Sequence, residues 1–196
     1  MSKELSIKEK LSKKYHKCDE ISNLKENSND EEFAGGIVAI LETATIENSK
    51  NTGNVIGSTN VGGIVAESKG TITQCRNDGQ VSKVAGVICK TVNLGGIVGK
   101  NSEAARLSNS KNYGNVNSET DTLVNLGGIC GILYNNSIVE LCENNGAISG
   151  SGKEIIPNED TNTNCASCTS NNGGSASTDD FGQLNIGIIY GKYQEI

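Results

Sequence analysis

Few side chains of this chain have the chemistry of catalysis or metal binding. There are seven cysteines: Cys18, Cys75, Cys89, Cys130, Cys142, Cys165 and Cys168. An odd number cannot all pair within one chain. The first ten residues lack the apolar core of a secretory leader, so the default state is a reduced thiol buried as a small hydrophobe. Cys165-Ala-Ser-Cys168 is a lone C-x-x-C. Zinc would need two further ligands, and a redox role would need a βαβ setting. Cys165 and Cys168 are expected to sit in a loop or to link chains, and Cys18 is a further candidate for such a link. His16 is the single histidine, which argues against His-rich metal sites and against a Ser–His–Asp or Cys–His constellation.

Other motifs fail on their spacing. Asp160-Thr-Asn162-Thr-Asn164 opens like a calcium loop, but Cys165 stands where the turn glycine belongs and Asn171 where the closing glutamate belongs. Gly150-Ser-Gly152-Lys153-Glu154 lacks the earlier glycine and the hydroxyl residue of a phosphate loop. Glu42, Glu67 and Glu140 show no recurrent pairing suited to acid–base work. The sequence therefore predicts no enzyme, no cofactor and no metal. Aromatic platforms for sugars or bases are scarce, with Tyr113 and Tyr134 the mid-chain candidates, and the net charge of −6 argues against nucleic acid as a partner. No run of 18 apolar residues is present, so no membrane span is expected.

The elements that would position any site are repeats. Gly35-Gly36-Ile37-Val38 returns at Gly62-Gly63-Ile64-Val65, Gly95-Gly96-Ile97-Val98 and Gly127-Gly128-Ile129-Cys130, with a degraded copy at Gly187-Ile188-Ile189. Asn-x-Gly alternates with it, starting at Asn51, Asn77, Asn112, Asn144 and, more weakly, Asn171. From Gly36, Gly63, Gly96 and Gly128 to the next Asn-x-Gly glycine the offsets are 17, 16, 18 and 18. Length varies only in the other connection. The 59-residue step from Gly128 to Gly187 suggests an eroded copy near Ile155-Ile156.

Between the signatures lie short pieces with apolar residues at alternate positions, such as Thr71-Ile72-Thr73, which is strand periodicity. The chain has one proline and no tryptophan, and Gly, Asn and Ser make up 69 of its 196 residues. A unit of about 30 residues cannot shelter its own apolar side, but stacked copies shelter one another. The predicted fold is mainly β: a parallel β-solenoid (β-helix) of about five coils over residues 33–196, with a loop-rich insertion near 150–180. Equivalent residues then stack, so Asn51, Asn77, Asn112, Asn144 and Asn171 should form an amide ladder at a corner where φ > 0 is needed. Gly36, Gly63, Gly96 and Gly128 should mark tight bends with close backbone approach. Ser49, Cys75, Ser110 and Cys142 precede the ladder by two residues, which suggests an inward, size-restricted site.

Residues 1–32 differ from the rest and carry 15 of the 40 charges. Ile7, Leu11, Tyr15, Cys18, Ile21 and Leu24 fall on one helical face, and Ser6 with Glu9 resembles a capping box. An N-terminal amphipathic helix is expected, as a cap or a connector between subunits.

The stretch Asn51-Thr-Gly-Asn-Val-Ile-Gly-Ser-Thr-Asn-Val-Gly-Gly-Ile-Val65, with Ile72-Thr-Gln-Cys75 and the copies at 93–99 and 125–131, resembles the GLUG-motif repeat over roughly residues 35–150. That resemblance implies a β-solenoid stalk or spacer of bacterial surface and extracellular proteins, such as the IgA-specific metalloendopeptidases, with no catalytic residues of its own. The expected function is a self-associating structural subunit of a surface, spore-, filament- or virion-type assembly. It would be made in the cytoplasm and joined head to tail with copies of itself. The alternatives are a monomeric adhesin-like module binding a glycan or protein receptor, and a solenoid polysaccharide-active enzyme.

Overall fold

The computed structural model describes residues 20–22, 33–85, 89–102, 104–118, 123–134, 136–157, 165–166, 168–170, 174–187 and 189–194. Among these residues there are only strands and connections, with no helix. Strand β1 is Glu20–Ser22. Coil one runs through β2 (Phe33–Gly35), β3 (Val38–Leu41), β4 (Thr45–Glu47), β5 (Lys50–Asn51) and β6 (Asn54–Gly57). Coil two holds β7 (Asn60–Gly62), β8 (Val65–Ser68), β9 (Thr71–Thr73), β10 (Arg76–Asn77) and β11 (Val81–Lys83). Coil three holds β12 (Val92–Gly95), β13 (Val98–Asn101), β14 (Arg106–Ser108), β15 (Lys111–Asn112) and β16 (Val116–Ser118). Coil four holds β17 (Leu123–Gly127), β18 (Cys130–Tyr134), β19 (Ile138–Glu140), β20 (Glu143–Asn144) and β21 (Ile148–Pro157). The last strands are β22 (Cys165–Ala166), β23 (Thr169–Ser170), β24 (Gly174–Gly187) and β25 (Tyr190–Gln194).

Every described pairing is parallel and joins one coil to the next. Three sheets of five strands and one of ten result. The fold is a parallel β-solenoid. Register follows chemical type: Val55, Val81, Val116 and Ile148 stack, as do Ile46, Ile72, Leu107 and Val139. A strand in a stack has one inward face, so each rung offers its neighbour the same apolar side chain at the same place.

The interior is two apolar clusters. One contains Leu41, Ile46, Ile64, Ile72, Ile97, Leu107, Ile129 and Leu133. The other contains Val55, Val61, Val81, Leu94, Val116, Leu126 and Ile148. The two repeat signatures meet across the coil interior. A Cβ on Gly63 would lie 2.3 Å from Cγ of Asn77, and one on Gly96 would lie 2.3 Å from Cγ of Asn112. This contact explains the near-constant offset, because two groups that touch across a coil cannot drift apart in sequence without breaking it.

The fifth rung is built out of chain order. Residues 183–187 of β24 pair with β17, and residues 154–157 of β21 pair on their outer side. The eroded copy expected near Ile155-Ile156 therefore does not sit on coil four. Gly187 takes that place, in register with Gly127, Gly95, Gly62 and Gly35. The reason is steric: a Cβ at Gly95 would lie 1.9 Å from the carbonyl oxygen of Val98, and residues 154–157 supply no glycine. Of the span near 150–180 where a loop-rich insertion is expected, residues 158–164, 167 and 171–173 lie outside the described residues. Within it residues 150–157, 165–166, 169–170 and 174–180 are strand, because backbone groups make the ladder bonds and Gly-Ser tracts can join them without apolar side chains.

The helix expected within residues 1–32 lies outside the described residues, apart from Glu20–Ser22, which are a strand. There the edge of β6 offers unpaired backbone groups, and β1 takes them with Ile21 in register with Val55.

Candidate functional site

Among the described residues, the candidate site is the set of stacked polar columns and the edges where they end. At the corner after β5, β10, β15 and β20, Asn51, Asn77, Asn112 and Asn144 are all fully buried. Asn51 Nδ2 donates to Asn77 Oδ1 at 2.9 Å, Asn77 Nδ2 to Asn112 Oδ1 at 3.0 Å, and Asn112 Nδ2 to Asn144 Oδ1 at 2.9 Å. Each amide also closes its own turn: Asn77 Nδ2 donates to the Gly79 carbonyl at 2.7 Å and Asn77 Oδ1 accepts the Gly79 N–H at 3.2 Å. For Asn77 and Asn112 both amide hydrogens and both acceptor positions are used, which a buried carboxamide requires. Ser170 holds the register position opposite Asn144. Asn171 lies outside the described residues.

The left-handed backbone is not at these asparagines. It falls three residues earlier, at Asn48, Gln74, Asn109 and Leu141, with φ between 50° and 53°. The Asn-x-Gly glycines serve a different need. A Cβ on Gly114 would lie 1.8 Å from the Gly79 carbonyl oxygen, and one on Gly146 would lie 1.9 Å from that of Gly114. Gly36, Gly63 and Gly96 likewise face the carbonyl oxygen of the next coil's glycine at 2.1 to 2.2 Å. Gly128 supplies the oxygen that faces Gly96.

Sequence reasoning missed a second ladder. Asn93 Nδ2 donates to Asn60 Oδ1 at 2.7 Å, and Asn125 Nδ2 donates to Asn93 Oδ1 at 2.6 Å. Its signal is present as Asn-(Val/Leu)-Gly-Gly, but the double glycine dominates that signature. The donors here point toward the N-terminal end, opposite to those of the Asn51 column.

The cysteines fall into two groups. Cys75, Cys130 and Cys142 are buried thiols outside any disulfide, and Cys89 is a half-buried thiol. Burial is the main cause that pushes Cys75 up to about 11 and Cys142 up to about 12, against carbonyl hydrogen bonds that pull the other way. Burial also raises Cys130 well above the ordinary thiol value. Ser110 Oγ accepts the Cys75 N–H at 3.1 Å, so the Ser/Cys alternation marks one tight column. Cys168 packs against the first apolar cluster and is disulfide-bonded, which removes it from the free thiols available to link chains. Cys165 lies in β22, in register with Val139. Cys18, His16 and the Asp160–Asn164 stretch lie outside the described residues.

The outer surface carries charge rows. Lys50, Arg76 and Lys111 stack in register, with Asp78 bridging Lys50 at 2.7 Å and also pairing with Arg76. Desolvation raises the Asp78 carboxyl, but Arg76 and Lys50 outweigh it and the net direction is down. Lys111 pairs with Glu143 at 2.7 Å, and Arg106 pairs with Glu140. The Arg76 guanidinium lies 4.2 Å from the Tyr113 ring centre, so one face of that ring is taken. Among the described residues no group of three or more metal-ligating side chains occurs, and no helix is long and apolar enough to cross a membrane.

At the ends, β2, β3, β4 and β5 each pair on one side only among the described strands, as do β22, β23 and β25 at the other end. No family model, curated protein or solved structure matches the chain.

Proposed function

We propose that this chain is a non-enzymatic structural repeat protein that associates end to end with copies of itself in a surface or extracellular assembly. The carrying observation is the pair of open edges among the described strands, β2–β5 at one end and β22, β23 and β25 at the other. An edge of unpaired N–H and C=O groups is a template for another parallel strand. A contact between two different ends repeats without closing and builds a filament. Asn51 adds a specific feature: its Oδ1 accepts the Gly53 N–H but, among the described residues, lacks the inter-coil amide that Asn77 and Asn112 receive. In a head-to-tail contact the end rung of a second copy, which carries Ser170 at that register position, would bring a hydroxyl donor in place of the amide. The GLUG-type resemblance, with its stalk or spacer role, supports the same reading. Synthesis in the cytoplasm followed by assembly at a surface belongs to this proposal.

A second reading is a monomeric module that binds a glycan or protein receptor. It is favoured by Ile138 and Leu141, which are 44% and 54% exposed at one corner of coil four. Leu141 also holds left-handed backbone, a costly conformation for leucine. Sedimentation velocity over a concentration series with electron microscopy separates the two. End-to-end association gives lengthening rods that merge into fibres. A concentration-independent short rod supports the binding module and overturns the first reading.

A further inference from the structure

One polar cluster is not needed by the stack. The column of β3, β8, β13 and β18 reads Ile40, Glu67, Lys100 and Ile132 in register. Two adjacent rungs thus replace an apolar residue by an acid and a base. Lys100 Nζ lies 3.1 Å from Glu67 Oε1. Asn60 Nδ2 lies 3.4 Å from Glu67 Oε2. One carboxylate thus holds an amine on one oxygen and a carboxamide on the other. The Glu67 side chain is 12% exposed and the Lys100 side chain 28%. The Asn60 carbonyl is already polarised, because Asn93 Nδ2 donates to its Oδ1 at 2.7 Å. Ser102 Oγ donates to Glu67 Oε1 at 3.2 Å, which fixes the carboxylate further. The amine also lies 5.6 Å from the centre of the Tyr134 ring.

We propose that Lys100 and Asn60 join in an intramolecular isopeptide bond, with Glu67 as the proton carrier. The Lys100 ammonium first gives a proton to Glu67. The freed amine attacks Cγ of Asn60 and forms the Nζ–Cγ bond, and charge builds on the Oδ1 that Asn93 holds. The Cγ–Nδ2 bond then breaks, and its electron pair leaves with nitrogen. Nζ keeps one of its three hydrogens. The other two pass through Glu67 to the departing nitrogen, which leaves as ammonium, and Glu67 returns as carboxylate. No oxidant or further reactant is needed. Proximity does the work, since an amine and an amide held on the two oxygens of one carboxylate act as an intramolecular pair.

The bond would tie coil two to coil three across residues 60 and 100, closing a loop that holds an entire turn of the solenoid. It is independent of end-to-end association, because all participants are in one chain and none is at an open edge.

The test is the intact mass of the folded, purified protein after reduction and denaturation. The expected mass is one ammonia below that of the sequence, with a branched peptide joining the segments around residues 60 and 100. Lys100→Arg and Glu67→Gln should each restore the full mass. The second substitution keeps the shape of the original side chain, so Glu67→Gln carries the test if the arginine variant fails to fold. A full sequence mass in the wild-type protein overturns the proposal. So does an ammonia loss that persists in Lys100→Arg, which would place it in a succinimide at an Asn-Gly step, Asn145-Gly146 or Asn172-Gly173. Cross-linking retained in Glu67→Gln also overturns it.

Discussion

Asn77 Nδ2 reaches across the gap between coils to Asn112 Oδ1 at 3.0 Å, while Asn77 Oδ1 accepts the N–H of its own Gly79 at 3.2 Å. The amide thus belongs to two rungs at once. The Asn60 column repeats the device in the opposite sense, its donors running from Asn125 to Asn93 to Asn60. Along the solenoid the side-chain dipoles of the two columns oppose one another.

Truncating a middle rung of the first ladder leaves several buried groups without partners. Asn112→Ala strands the Gly114 N–H and carbonyl together with Asn77 Nδ2 and Asn144 Oδ1. Each orphaned group costs about 1–3 kcal/mol. The variant should lose at least about 3 kcal/mol, read as a lowered urea midpoint with a similar slope. A loss near zero would show that the ladder is not a source of stability.

Gly96→Ala tests the contact between coils. Its Cβ would meet the Gly128 carbonyl oxygen at 2.2 Å and Cγ of Asn112 at 2.3 Å. Both neighbours are fixed by the stack, so the strain has no flexible side chain to relieve it. Overpacking costs about 1–3 kcal/mol and occasionally more, and contacts this short belong at the upper end. The check is thermal unfolding followed by circular dichroism, where the variant should melt well below the parent or fail to fold. An unchanged melting point would contradict the close packing.

Asn101 offers a change in the other direction. It is fully buried, and among the described residues neither its Nδ2 nor its Oδ1 has a hydrogen-bond partner. It stands in a column with Leu41, Ser68 and Leu133. Asn101→Leu removes two unpaired polar atoms and extends the apolar column, so stability should rise by about 1–3 kcal/mol. A denaturant titration that shows a loss would mean the column has no room for leucine.

The rungs were legible in the sequence because their geometry allows few residues. Gly36, Gly63 and Gly96 face a carbonyl oxygen too near for any Cβ, and Asn77 and Asn112 fill every hydrogen-bonding position. The left-handed corner was not legible, since Asn48 and Asn109 are joined there by Gln74 and Leu141, so no single residue type marks it. The Glu67–Lys100 pair spans coils of unequal length, and only the register reveals it. The order of the fifth rung is a tertiary choice between 154–157 and 183–187, decided by where a glycine fits.

The buried thiols predict an alkaline limit to stability. Cys75 titrates at about 11 and Cys142 at about 12 in the folded chain, against 9.0 ordinarily. Below pH 9 both are protonated in the folded and unfolded chains, and their contribution is whole. As pH rises above 9 the unfolded chain releases its thiol protons first, so stability falls through about 11 to 12. Cys75→Ser should flatten this slope relative to the parent, because serine already occupies the same column at Ser49 and Ser110. Equal slopes in urea titrations above pH 9 would contradict it.

Fibre diffraction on aligned filaments tests the end-to-end stack most directly. Copies that continue one another's rungs must place strands across the fibre, with a reflection near about 4.8 Å on the meridian. That spacing along the fibre axis is the predicted result. The same spacing on the equator, or concentrated protein that forms no filaments, would contradict it.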